Sequence, residues 1–257
     1  MNISVIVITK NEESMIRDCL DSVKWADEVI VVDDMSTDRT AEICQGYSNV
    51  KVFEREWDGF GPQKNYALTI ASGDWILSLD ADERVPEDLE KEILRKIKED
   101  KYDGYRIKLK HLVFGKWVSD YKPLNLRLFK KTKASFTKEK VHESVILDGD
   151  AGWLDGQIVH YSRSYSDIRS YMDIYVRKYS SYTAEDLYKK GRRVTWKNCL
   201  DYYFLRPVFI FFQKYFQKNG YKEGWRGFVV SILASCSYFM SYFKLWELQR
   251  EEKRYRK

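Results

Sequence analysis

Three short apolar runs limit what this chain can fold into. Ile3 to Ile8, Glu28 to Asp33 and Trp75 to Leu79 are nearly continuous in apolar and β-branched residues. That is the pattern of parallel strands covered on both faces, not the strict alternation of a half-exposed strand. Between the first two, Met15, Ile16, Cys19, Leu20 and Val23 recur at helical spacing. A second helix is predicted to start at Ser36 or Thr37, either of which can cap it. Val50 to Phe53 reads as a further strand, and Gln63 to Ala71 as a helix with Tyr66, Ala67 and Ile70 inward. Strand alternating with helix is the signature of an open α/β sheet.

Sheets of this kind bind ligands beyond the carboxyl ends of their strands. Here those ends carry Thr9-Lys10-Asn11-Glu12, Asp33-Asp34 and Asp80-Ala81-Asp82, so three polar clusters are predicted to share one rim. Alternate side chains of an extended segment point the same way, which lets Asp80 and Asp82 face one point in space. Two converging carboxylates suit Mg2+ or Mn2+, cations held by few protein oxygens together with substrate phosphates. Taken alone, Asp-x-Asp is more often a solvated turn after a strand, and its neighbours must decide.

Those neighbours carry a resemblance. Ser4 to Glu13 (SVIVITKNEE), Val31 to Asp38 (VVDDMSTD), Gln63 to Leu68 (QKNYAL) and Ala71 to Glu83 (ASGDWILSLDADE) resemble glycosyltransferase family 2 in order and spacing. Trp57 to Gly61, Val141-His142-Glu143 and Lys244 to Glu247 are similar to the bacterial branch that contains the lipopolysaccharide core β-1,4-glucosyltransferases. The resemblance implies a GT-A (Rossmann-like) fold: an open, mostly parallel sheet with flanking helices and a C-terminal helical appendage. On that basis residues 1–199 form the catalytic domain, with a nucleotide-sugar half at about 1–100 and an acceptor half at about 101–199. Residues 200–257 form the appendage.

It also implies roles. Asp82 ligates Mn2+ or Mg2+, while Asp80 contacts the sugar, the ribose or a metal-bound water. Asp34 hydrogen-bonds a uracil ring, Thr9, Asn11 and Glu12 lie near the nucleoside, and Lys64 lies at the pocket edge or the phosphates. Glu143 is the general base for an acceptor hydroxyl, and His142 orients it. His160 is either a further metal ligand or a hydrogen-bonded core histidine. Asp33 reads as a turn residue that orients its loop. The reaction implied is inverting transfer from a UDP-sugar to a bacterial glycolipid or polysaccharide, lipopolysaccharide core being one such acceptor. Met35 departs from the family, which often has glycine or a small residue after the aspartate pair. From another class, a noncatalytic sugar-binding or scaffold protein keeps the fold without turnover, and the intact acidic pair argues against it. A sugar-phosphate nucleotidyltransferase would carry a glycine-rich loop after the first strand, which is absent here.

Composition sets the remaining bounds. A chain of 257 residues accommodates one α/β unit with some tens of residues to spare. The four cysteines are far apart, so neither a zinc site nor a disulfide framework is implied, and a reducing compartment fits. Lys10 interrupts the first apolar run too early for a secretory signal. Tyr102 to Thr137 mixes aromatics such as Tyr105, Trp117, Tyr121 and Phe136 with many lysines and arginines. That mixture suits either an acceptor surface or half-buried strands. After about residue 195 the chain turns aromatic, and Gly227 to Phe243 runs 17 residues without a charge, short of the roughly 20 a span needs. Phe228, Ile232, Cys236, Phe239 and Phe243 form a helical stripe flanked by lysines and arginines. A peripheral place on the inner, cytoplasmic face of the membrane is expected, ahead of an ordinary helical lid. The net charge of +5 has no nucleic-acid motif beside it, so no nucleic-acid partner is expected.

Overall fold

Ile3, Val5 and Val7 point to one face of the first strand and Ile6 to the other, and each face is covered by its own layer. The computed structural model describes residues 1–119, 125–137, 144–162 and 166–255. Strands β1 (Ile3–Thr9), β2 (Glu28–Asp33), β3 (Val50–Glu54) and β4 (Trp75–Asp80) pair in parallel in the order β3-β2-β1-β4. Helices α1 (Ile16–Asp21), α2 (Thr40–Gln45) and α4 (Glu87–Glu99) contribute Ile16, Cys19, Leu20, Cys44, Leu89, Ile93 and Ile97 to one core. Helix α3 (Phe60–Ile70) brings Ala67 and Leu68 to the other, beside Ile6, Ile30 and Ile76.

Helix α4 illustrates the local logic. Leu89, Ile93 and Ile97 recur every four residues and are fully buried. Glu87, Asp88 and Glu90 occupy the first turn and Lys96 and Lys98 the last, matching the helix dipole. Each buried aliphatic contributes about 1.5–3 kcal/mol, far more than the end charges.

The rest of the sheet is mixed. Strands β5 (Glu83–Arg84), β6 (Gly104–Val113), β7 (Lys116–Ser119), β8 (Asn125–Lys130) and β11 (Ala151–His160) extend it as β4-β8-β6-β11-β5, with β7 on β6. Strand β8 is antiparallel to β4 and β6, β11 is parallel to β6, and β5 is antiparallel to β11. A separate antiparallel pair joins β9 (Ala134–Phe136) and β10 (Val145–Leu147). The α/β expectation holds, with the parallel character confined to β3-β2-β1-β4 and to β6-β11.

One local expectation needs correction and one open alternative is resolved for two residues. Helix α2 starts at Thr40, because the Ser36 hydroxyl is taken by Asp33 and the Thr37 amide by Asn11, which ties both would-be caps into the loop. Tyr105 and Phe136, whose setting suited either an acceptor surface or half-buried strands, are buried in the two cores. Tyr121 lies outside the described residues.

The chain divides into two compact units, Met1–His111 with Ser119–Tyr161, and Leu112–Val118 with Ser162–Lys257. The boundary expected at residue 199 falls inside the second unit, whose longer segment starts at Ser162. In it α5 (Ile168–Tyr171) continues through a π-helical stretch, Met172–Tyr179, into α6 (Ser180–Lys189). Helix α7 (Arg206–Phe212) is flanked by π-helical turns, and α8 (Trp225–Tyr255) runs 31 residues. Ala184 of α6, Tyr202, and Tyr242 and Leu245 of α8 form their common core. Length therefore does not bar α8 from crossing a bilayer, as the uncharged run alone implied: Trp225–Glu252 is long and apolar enough, with 28% of its most apolar window buried. The serines that punctuate the run serve the protein side. Ser231 and Ser241 are buried, Ser235 donates to the Pro207 carbonyl, and Ser237 donates to that of Tyr175.

Candidate active site

The register of the parallel strands assembles the rim. Thr9 lies opposite Asp33, and Ile8 opposite Asp80, so the ends of β1, β2 and β4 stop at one level. The Asp34 amide donates to the Thr9 carbonyl at 2.8 Å, and Lys10 pairs with the Asp34 carboxylate at 2.7 Å. Asp33 accepts from the amide and hydroxyl of Ser36, the loop-orienting role expected of it. Asn11, at φ 52, accepts from the Thr37 amide, and the Glu12 amide donates to Thr40. Both residues therefore anchor the loops that border the rim. Met35 also has a left-handed backbone, φ 47, which explains why glycine suits that position. Thr9 Oγ1 is buried with no partner among the described residues, an acceptor and donor free for a ligand.

Asp80 sits between two cations. Lys64 Nζ lies 3.1 Å from Oδ1 and Arg127 Nη2 3.4 Å from Oδ2. Burial by itself would raise the Asp80 carboxyl, but these two charges outweigh it and hold it below the usual carboxylate range. Arg127 also donates to Glu83 at 2.7 Å, while the other Glu83 oxygen accepts the Asp80 amide at 2.9 Å. Glu83 is fully buried, and its desolvation pushes its carboxyl upward against the pull of Arg127.

Antiparallel pairing of β11 with β5 sets His160 opposite Glu83, one residue beyond Asp82. His160 Nε2 lies 3.1 Å from Asp82 Oδ2. Burial lowers the imidazole, but the hydrogen bond and charge of Asp82 prevail and leave it above its ordinary value. His111, across from His160 on β6, brings Nδ1 to 3.0 Å from Nδ1 of His160. Arg84 holds the turn between β4 and β5 by donating to the carbonyls of Ala81, Glu83 and Met15.

Asp80, Asp82, Lys64 and His160 thus come together, with Thr9 and Asp34 on the same rim. Glu143 and His142 lie outside the described residues. Arg127, Glu83 and His111 are additions. Arg127 had a visible signal, a lone charge inside the apolar strand Leu126-Arg127-Leu128-Phe129, and Glu83 directly follows the acidic pair.

The donors fit a hard divalent cation. Asp82 offers a carboxylate and His160 an imidazole, both partly open to solvent, while the charge of Asp80 is already compensated. Among the described residues no group of three or more His, Cys, Asp or Glu side chains is poised for a metal.

The family model for Glycosyl transferase family 2 matches residues 4–145, which hold β2, β3, β4, all but the first residue of β1, and the acidic pair. The chain belongs to glycosyltransferase family 2. This family 2 member is 35% identical to an uncharacterized glycosyltransferase of Rickettsia typhi, over 96% of its own length and 87% of that protein's. It is 27% identical to LpsC of Rhizobium meliloti, a lipopolysaccharide core biosynthesis glycosyltransferase, over 95% and 92% of the two chains. Staphylococcus aureus TarS 1–349 in complex with UDP-GlcNAc superposes with a TM-score of 0.52 at 19% identity, covering 98% of this chain and 92% of TarS 1–349. The mannosyltransferase PcManGT of Pyrobaculum calidifontis, in complex with GDP-Man and Mn2+, superposes with a TM-score of 0.56 at 16% identity, covering 95% and 86%. At such identities the likeness is one of fold, and it makes this family 2 glycosyltransferase GT-A-like.

Proposed function

We propose that this glycosyltransferase is inverting and moves a hexosyl group, glucose being one candidate, from a UDP-sugar to a hydroxyl of a bacterial glycolipid or polysaccharide. The observation that carries the reading is the meeting of Asp80, Asp82 and His160 with Lys64 and Arg127 beyond the ends of β1 and β4. Thr9, Asn11, Glu12 and Asp34 border the nucleoside. Lys64 and Arg127 orient Asp80 toward the donor sugar and keep it ionised. Asp82 and His160 hold Mn2+ or Mg2+, which supplies charge neutralisation on the leaving diphosphate. Glu143 takes the proton of the acceptor hydroxyl as its oxygen bonds to the anomeric carbon and the bond to the diphosphate breaks. One displacement needs one base, and inversion follows.

The second unit supports work at a membrane surface on the cytoplasmic side. Phe204, Leu205, Val208, Phe209 and Phe212 are each more than half exposed along one helical face. Phe228, Ile232 and Phe243 of the predicted stripe are also exposed, although Phe243 leans on Tyr203. Lysines 197, 218 and 222 are exposed nearby, as anionic headgroups require. The full-length LpsC likeness agrees with a lipid-linked acceptor.

A nucleotide-sugar panel with mass detection of diphosphate and product, run with glycolipid and oligosaccharide acceptors, tests this reading. UDP release coupled to a β-linked product from a UDP-α-sugar is the expected result. Turnover of none of the sugars by folded protein would return the chain to a noncatalytic binding role.

A further inference from the structure

His111 has no part in the mechanism above, yet it stands directly behind His160. The two residues are register partners on the parallel strands β11 and β6, and their rings meet at 62° with centroids 5.0 Å apart. Their Nδ1 atoms are 3.0 Å apart, a hydrogen-bond distance. Two ring nitrogens at that distance need one hydrogen between them, since two lone pairs or two N–H groups would repel. On the opposite side, His160 Nε2 points at Asp82, 3.1 Å away.

We infer that His111 is a positioning residue: its Nδ1 accepts the Nδ1–H of His160 and so keeps the Nε2 lone pair of His160 turned toward a divalent cation held with Asp82. The inference rests on the reading of His160 as a metal ligand. A neutral imidazole carries one N–H, and a ring that ligates through Nε2 must carry it on Nδ1. Such a ring needs an acceptor behind it, the arrangement that fixes tautomer and orientation in metal sites generally. Here the acceptor is supplied by a second histidine, held by strand register. Its own Nε2 then carries the hydrogen, so the Nδ1 lone pair faces His160.

The test compares His111→Phe and His111→Leu, which remove the acceptor, with His111→Asn, whose Oδ1 restores one near the Nδ1 position. Mn2+ binding in the presence of UDP is measured by electron paramagnetic resonance, and imidazole ligation by the 14N modulation of the bound ion's spin echo. Melting of the metal-free proteins reports any purely structural cost. The expected result is a 14N signal in the native protein, Mn2+ affinity reduced 10- to 100-fold in the Phe and Leu variants, and recovery to within about threefold in the Asn variant. If the native protein shows the 14N signal but folded Phe or Leu variants bind Mn2+ as it does, His111 merely joins two strands and the inference fails alone. Should both apolar variants fail to fold, Mn2+ affinity in His111→Asn decides: within about threefold of native it supports the inference, and a larger loss defeats it. Native protein that binds Mn2+ without 14N modulation, or does not bind it, overturns this inference and the ligand role of His160 together.

Discussion

Arg127 Nη2 lies 2.7 Å from the carboxylate of Glu83, a residue with no solvent exposure, and this contact joins β8 to the turn that carries the acidic pair. The guanidinium does two jobs at once, because the same nitrogen faces Asp80. Removing it strands a buried carboxylate. Arg127→Met is therefore expected to cost about 3–5 kcal/mol in urea unfolding, and the double variant Glu83→Gln/Arg127→Met to recover much of it. Equal stabilities for the single and double variants would show that the pair is not coupled.

Asp82 carries the metal reading. Asp82→Asn keeps the shape but loses the charge, and it is expected to abolish transfer and weaken UDP binding in Mn2+ while melting near the native temperature. Calorimetric titration of UDP with and without Mn2+ checks it. Full native activity in excess chelator would contradict the role assigned to the acidic pair.

Glu143 acts only on the acceptor in the proposed mechanism. Glu143→Gln should bind the UDP-sugar with native affinity and lose at least a hundredfold in turnover, the usual share of a general base. Binding and single-turnover rates measured on one preparation separate the two effects. Native turnover would move the base elsewhere.

Glu28, at the opposite ends of the strands, ties β1 and β2 to the segment before β4. It accepts from the Ser4 hydroxyl, from the amide and hydroxyl of Ser72, and from Lys51. Burial would raise its carboxyl, but these hydrogen bonds bring it down to about 2. The folded state thus releases this proton more readily than the unfolded chain. Its contribution is present above about pH 4.5 and is lost as pH falls toward 2, on the order of 3 kcal/mol in all. Glu28→Gln should be less stable than native at pH 7, by denaturant unfolding, with the gap closing below pH 4. A gap independent of pH would assign the effect to packing.

The exposed aromatic face of the second unit predicts reversible binding to anionic vesicles. Co-sedimentation should fall as salt rises, since charge attraction is screened over about 10 Å at 0.1 M. Phe204→Ser/Phe209→Ser, at exposed positions, should lower the bound fraction at least tenfold without a change in melting. Resistance to alkaline extraction from native membranes would instead make α8 a spanning helix.

Strands β1, β2 and β4 were legible because parallel strands buried on both faces are apolar almost throughout. The acidic pair was legible because it interrupts that pattern at a strand end. Helix positions followed from the spacing of Ile16, Cys19 and Leu20, whereas the start of α2 did not, since Ser36 bonds back to Asp33 at the end of β2 and Thr37 to Asn11 in the loop after β1 instead of capping.

By itself the sequence determined the α/β fold and the rim on which Thr9, Asp34, Asp80 and Asp82 stand, consequences of local periodicity and chain order, while its motifs carried the resemblance to the family. Only the tertiary structure decided what surrounds the acidic pair. Arg127 reaches it because β8 inserts antiparallel beside β4, and His160 and His111 because β11 pairs with both β5 and β6. Those pairings join segments tens of residues apart, and a shift of one residue in any of them would turn the side chain to the other face. Local sequence carries no record of such a register. In the second unit the same distinction holds: hydropathy located the apolar helices, but packing chose the serine-lined side of α8 for the core and left Phe204 and Phe209 facing out.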